Sequence, residues 1–136
     1  LAILEMINYL LSFLGVSLES ILGFIFMPLA WAMGAPWHEA STLGALMGKK
    51  LVFTELIAYT DLQTLINSQA ISERTSIIAA YALCGFANFG SIGIQLGGIG
   101  SMAPDRMRDL SSLVAKAMIG GALASWLTAS IAGILL

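Results

Sequence analysis

The sequence predicts an all-α integral membrane fold. Hydrophobic residues make up 58% of the 136-residue chain and charged residues only 10%, with a mean hydropathy of +0.89. A soluble domain carries nearer a quarter charged residues, and one this small cannot bury so much apolar surface. The apolar residues fall in helix-length runs, and several runs are interrupted where a plain span would be continuous. The sharpest interruption is the glycine-rich stretch LCGFANFGSIGIQLGGIG, residues 83–100. Together these features predict a re-entrant helical hairpin, a discontinuous transmembrane helix and a C-terminal spanning helix.

The elements follow in order. Residues 1–15 are apolar but short for a span, and Glu5 and Asn8 fall near one face. The run lacks a basic leader and reads as the end of a helix from a longer polypeptide. LESILGFIFMPLAWAMG (18–34) is a second apolar run, in which Pro28 predicts a kink or break near Phe24–Met27. Trp31 and Trp37 flank its end, as aromatic residues do at a membrane interface.

Residues 40–68 hold two helix-like halves meeting near Phe53–Leu56. Each covers roughly 20 Å against a hydrocarbon core of about 30 Å, so neither spans alone. Lys49, Lys50 and Glu55 lie in the middle, which suits a hairpin tip buried in protein or facing a wet cavity. After a polar turn in which Ser72 is placed to cap the next helix, residues 74–86 and 92–102 form two apolar halves separated by ANFGS. The charged loop 103–109 leads into residues 110–136, long enough to span with tilt. Gly120, Gly121, Ala124, Ser125 and Ala129 suit close helix packing there, as Gly97, Gly98 and Gly100 do upstream. Arg106, Arg108 and Lys116 place the 103–116 end in the cytoplasm. The resulting division is 1–39, apolar scaffold or interfacial helices, and 40–136, a transport-domain half with hairpin 40–68, broken helix 74–102 and final helix 110–136.

A net charge of −2 without a basic run argues against nucleic acid as a partner. One cysteine and one histidine make no zinc site, and Cys84 in its apolar context reads as a buried, inert thiol. No catalytic constellation, paired carboxylate or phosphate loop is present, so the chain does not read as an enzyme. Membrane lipid is the surrounding partner, and no cofactor is implied.

Broken elements in a membrane are costly unless a cavity or substrate uses the freed backbone groups. Secondary transporters use half-helix ends at the midplane as substrate and ion sites. Glu55 at the hairpin tip, and Asn88 and Ser91 in the break, are matching polar side chains. Each has a structural alternative: Glu55 as partner of Lys49, Lys50 or Lys116, Asn88 as a hydrogen-bonding plug for the break, Ser91 as the N-cap of the second half. Phe86 and Phe89 are more often packing residues.

YALCGFANFGSIGIQLGGIGSMAPDRMRDLS (81–111) closely resembles the C-terminal signature of bacterial concentrative nucleoside transporters. GKKLVFTELIAYTDL (48–62) resembles that family's second-hairpin motif, with Thr54 where the family often has Asn, and FIFMPLAWAMGAPWHEA (24–40) is similar as well. The resemblance implies a homotrimeric, multi-pass symporter of the bacterial inner membrane. Such proteins carry nucleosides inward on a sodium or proton gradient by an elevator-like motion. They contain two inverted repeats, and this chain is similar to the second. It further implies that Glu55, Asn88 and Ser91 hydrogen-bond the ribose hydroxyls and that Phe86 packs at the nucleobase. The coupling cation is then expected in an upstream half, the chain's partner. Two rival readings are a related hairpin-type carrier or gate for another polar solute or a metal ion, and a structural membrane subunit without substrate.

Overall fold

The computed structural model describes residues 2–136, and among them every regular element is helical. The order is α1 (Ala2–Ser12), α2 (Leu18–Ala32), α3 (Trp37–Val52), α4 (Glu55–Asn67), α5 (Glu73–Ala82), α6 (Phe89–Met102), a 3-10 turn (Pro104–Arg106) and α7 (Met107–Leu135).

Side-chain oxygens set most helix starts. Ser17, Thr54, Ser72 and Asn88 each stand in extended backbone and accept a hydrogen bond from the main-chain N–H three residues on. Asn8 ties α1 to α2 by accepting from Leu18 N at 2.9 Å and donating to Glu19 at 3.2 Å. The re-entrant hairpin forms as expected, α3 and α4 meeting at Phe53–Thr54. The Lys49–Asp61 ion pair, 2.5 Å long, then links its two arms. At 1.5 Å per residue the arms measure about 24 and 20 Å, both shorter than a bilayer core. Among the described residues, one helical stretch is long and apolar enough to cross a membrane, Pro104–Leu135.

Several expectations are corrected. Pro28 neither breaks nor ends α2, which runs unbroken from Leu18 to Ala32. The helix is held from outside: Gly23 and Ala30 are buried, and α2 lies along α3 more extensively than any other pair of elements pack. At the crossing a Cβ on Gly44 would stand 2.5 Å from the Gly23 carbonyl oxygen, and one on Gly48 2.5 Å from Leu22 Cβ. The lone hydrogen bond that Pro28 removes is small against that contact. Helix α3 begins at Trp37, ahead of residue 40, and α2 packs along it.

The helix break spans residues 83–88 and begins four residues earlier than expected, because Gly85 adopts φ +94° and turns the chain there. Asn88, not Ser91, is the N-cap of α6. Cys84 is exposed on the break rather than buried. The final helix starts at Met107, since the Pro104 turn already closes the preceding loop. Among the described residues Gly97 and Gly98 have no neighbour near the Cβ position, whereas Gly100 is covered by Met107.

The core gathers Met33 from the turn after α2, Leu43 and Met47 from α3, Ile78 and Ala79 from α5, and Trp126 and Ala129 from α7. Phe26 and Trp126 meet with ring centroids 5.3 Å apart. Two polar links complete it. Glu39 on α3 accepts from Ser72 N (3.0 Å) and Ser72 Oγ (2.8 Å). Arg74 on α5 donates to the carbonyls of Gly34 (2.9 Å) and Gly133 (2.5 Å).

Gly44→Ala should lower the thermal stability of the detergent-solubilised protein by about 1–3 kcal/mol, the cost of overpacking a tight crossing. Glu39→Ala should cost about 1–3 kcal/mol by leaving Ser72 N–H without its acceptor, and Glu39→Gln, which keeps one oxygen, should cost less. Unfolding midpoints of the three variants check both.

Candidate functional site at the hairpin tip and helix break

The break exposes two cut helix ends. A helix leaves its last four carbonyls without intrahelical partners, and in α5 these belong to residues 79–82. All four are answered. Leu83 N donates to Ala79 O at 2.9 Å and Cys84 N to Tyr81 O at 3.2 Å. The Tyr59 hydroxyl donates to Ala80 O at 2.7 Å. Lys50 Nζ donates to Ala82 O at 3.0 Å. The same ammonium reaches Cys84 O at 2.8 Å and Ser125 Oγ on α7 at 2.9 Å. Lys50 is 0% exposed. Its positive charge lies against the negative end of the α5 dipole.

At the other cut end, Asn88 Oδ1 accepts from Ser91 N at 2.8 Å and from Ser91 Oγ at 3.0 Å. Asn88 Nδ2 donates to Glu55 Oε2 at 2.9 Å. Glu55 is the first residue of α4, placed there by the Thr54 cap, whose Oγ1 accepts from Ile57 N at 3.4 Å. The carboxylate thus reaches the positive start of α6 through the amide of Asn88. Asn88 and Ser91 are buried, at 3% and 4% exposure, while Glu55 is half-buried.

Three of the four residues singled out from the sequence are brought into one hydrogen-bonded chain, Glu55–Asn88–Ser91. Phe86 lies on the same break with its side chain 75% exposed. It lines a shallow pocket of about 220 Å³ with Gly85, Ala87 and Gln95. Glu55 makes no ion pair with Lys49, Lys50 or Lys116 among the described residues; Lys49 is taken by Asp61. Sequence reasoning missed the roles of Lys50, Tyr59 and Ser125. A signal was present: Lys49 and Lys50 are adjacent, so on a helix they point about 100° apart and cannot both face water at an apolar hairpin tip.

Chemically, the arrangement offers a polar ligand a carboxylate oxygen, Oε1, that no described side chain occupies, and one unassigned N–H of the Asn88 amide. No group of three or more His, Cys, Asp or Glu side chains forms a cation cage among the described residues.

Comparison with known proteins gives the arrangement a context. Residues 1–133 match the family described as "Na+ dependent nucleoside transporter C-terminus". The chain is 49% identical over 119 residues to the uncharacterized transporter YutK of Bacillus subtilis, covering 88% of the chain and 29% of that protein. It is 43% identical over 155 residues to solute carrier family 28 member 3 of Mus musculus, covering 99% of the chain and 22% of that protein. The putative nucleoside permease NupX of Escherichia coli is 41% identical over 118 residues, 86% of the chain and 28% of the relative. Among solved structures, that of CNTnw in an inward-facing substrate-bound state superposes with a TM-score of 0.88 at 42% identity, over 97% of this chain and 33% of that one. The chain thus spans between a fifth and a third of the proteins it resembles, its all-helical fold is that of their C-terminal region, and these relatives are named as transporters rather than enzymes. The family's description names sodium dependence, which makes sodium a coupling ion of the transporters and not a cofactor. The chain belongs to the sodium-dependent nucleoside transporter family, as its C-terminal region.

Proposed function

We propose that this chain is the C-terminal part of a nucleoside:cation symporter of the bacterial inner membrane, and that it binds the ribose of the nucleoside between hairpin tip and helix break. The observation that carries the reading is the Glu55–Asn88 hydrogen bond, which joins the two discontinuous elements at one polar point. Its open acceptor and open donor suit the 2′ and 3′ hydroxyls. A site built to bond a hydroxyl discriminates strongly against an analogue that lacks it, because buried polar groups are left unpaired. Phe86, exposed two residues before Asn88, offers an apolar face to the base.

Ser91 acts differently from the other two. Its hydroxyl hydrogen goes to Asn88 Oδ1, which fixes the amide with an N–H toward Glu55, while its lone pairs remain to accept from a ribose hydroxyl. Ser91 therefore serves the ribose both as an acceptor and by orienting Asn88. Sodium is the coupling cation supported by the family description, held by an upstream half that also completes the base contacts. Assembly as a homotrimer belongs to the same proposal. So does the division into scaffold and transport parts, with the α2–α3 packing supporting α2 as part of the moving body.

In the full-length transporter, Glu55→Gln and Asn88→Ala should each reduce uridine uptake at least about tenfold at unchanged membrane expression, the scale of losing a hydrogen bond to a charged group. Ser91→Ala should reduce it less than Asn88→Ala. Uptake of radiolabelled uridine into proteoliposomes, competed by its 2′-deoxy and 3′-deoxy counterparts, measures all of this. Normal uptake in both Glu55→Gln and Asn88→Ala would sink the site.

A further inference from the structure

Lys50 is a fully buried ammonium without a carboxylate partner among the described residues. A buried charge so placed is strongly unfavourable unless every hydrogen finds an acceptor. Here all three do: Ala82 O, Cys84 O and Ser125 Oγ lie 2.8–3.0 Å from Nζ. The Ser125 hydroxyl donates in turn to Ala122 O at 2.8 Å, so its lone pairs remain free to face the ammonium. Two main-chain oxygens of an unwound helix and a hydroxyl from a neighbouring helix form the kind of oxygen cage that holds an ion at a broken helix. In this chain the cage is filled by a side chain.

We propose that Lys50 is a positioning residue of the nucleoside site, a tethered cation that fixes the break so that Asn88 meets Glu55. The inference rests on the reading of Glu55 and Asn88 as the ribose contact. The geometry couples the groups closely. Lys50 and Glu55 bracket the hairpin tip at Phe53–Thr54, and Cys84 and Asn88 bracket the turn at Gly85. Lys50 grips the break at Cys84 while Glu55 grips it at Asn88. With the first grip removed, Gly85 gives the segment from Cys84 to Asn88 a free pivot, and the amide loses its fixed place against the carboxylate. Lys50 touches no substrate in this scheme, and Ser125 on α7 shares the work from the far side.

The test uses the full-length transporter, with the dissociation constants of uridine and 3′-deoxyuridine measured by calorimetry in nanodiscs. Lys50→Met keeps the stem length and removes the charge. It should weaken uridine binding about tenfold and bring the ratio of the two constants close to one, because the hydroxyl contact is what loses its alignment. A purely structural lysine would lower the melting temperature and leave that ratio as in the parent; a ratio within about twofold of the parent's overturns the proposal. Where Lys50→Met does not yield folded protein, Ser125→Ala decides: removing one acceptor should lower the ratio by about threefold, and an unchanged ratio overturns the proposal equally. Glu55→Gln separates the two levels. Parental uridine affinity in Glu55→Gln defeats the ribose reading itself, whereas lost affinity there with a parental ratio in Lys50→Met defeats only the assignment of Lys50.

Discussion

A helix cut inside a membrane leaves two ends whose polar groups have no water to fall back on, and here one hairpin tip answers both. Lys50 sets a positive charge on the carbonyl end of α5. Glu55, five residues later, sets a carboxylate beside the amide that caps α6. Each sign complements the helix end that it meets. Unanswered, these groups would cost several kcal/mol each, enough to close the break into a continuous helix or expel it from the bilayer. The hairpin and the broken helix are therefore a single device. Each supplies polar partners that the other needs at membrane depth.

The rest of the fold serves to deliver that tip. Helices α3 and α5 run side by side in the same direction, and α3 holds α5 at both ends. Glu39 binds the capping residue Ser72 at the start, and Lys50 binds Ala82 at the finish. About 16 Å of helix separates Glu39 from Lys50, and about 15 Å separates Ser72 from Ala82, so the two spacings match. The acid sits at the positive end of α5 and the base at its negative end. Gly23, Gly44 and Gly48 let α2 lie directly on the outer side of α3, and Arg74 fastens the start of α5 to the turn after α2 and to the end of α7. A shift of α3 by even part of a turn would break both clamps at once.

Much of this was legible from residue type and spacing. Span arithmetic is insensitive to detail, so two short halves around Lys49, Lys50 and Glu55 read as a hairpin and ANFGS as a break. The resemblance then named the ribose, a word that helix lengths and charges do not contain. Capping was less legible. Asn88 and Ser91 are three residues apart and both are good N-caps, and only the positive φ of Gly85, invisible in sequence, decides where the chain re-enters the helix. The buried state of Lys50 was hidden for a related reason. A lysine's burial is set by acceptors that lie 32, 34 and 75 residues away, on Ala82, Cys84 and Ser125. Pro28 misled because the rule for proline counts one lost hydrogen bond and takes no account of a partner helix. Cys84 misled because its apolar neighbours pack while its own position lies on the turn.

The two cut ends differ in how fully their polar groups are bonded. At the α5 end every terminal carbonyl is bonded and all three hydrogens of Lys50 are used, so nothing polar is left to offer. At the α6 end Asn88 Oδ1 is saturated by Ser91, yet one oxygen of Glu55 and one hydrogen of the Asn88 amide have no partner among the described residues. Phe86 and Gly85 beside them are open. Under the proposed function, the ribose hydroxyls meet the chain at this Glu55 oxygen and Asn88 hydrogen. The closed end then has a purpose of its own: a fully bonded Lys50 gives the open end a rigid edge to bind against, so that binding a solute need not also order the break.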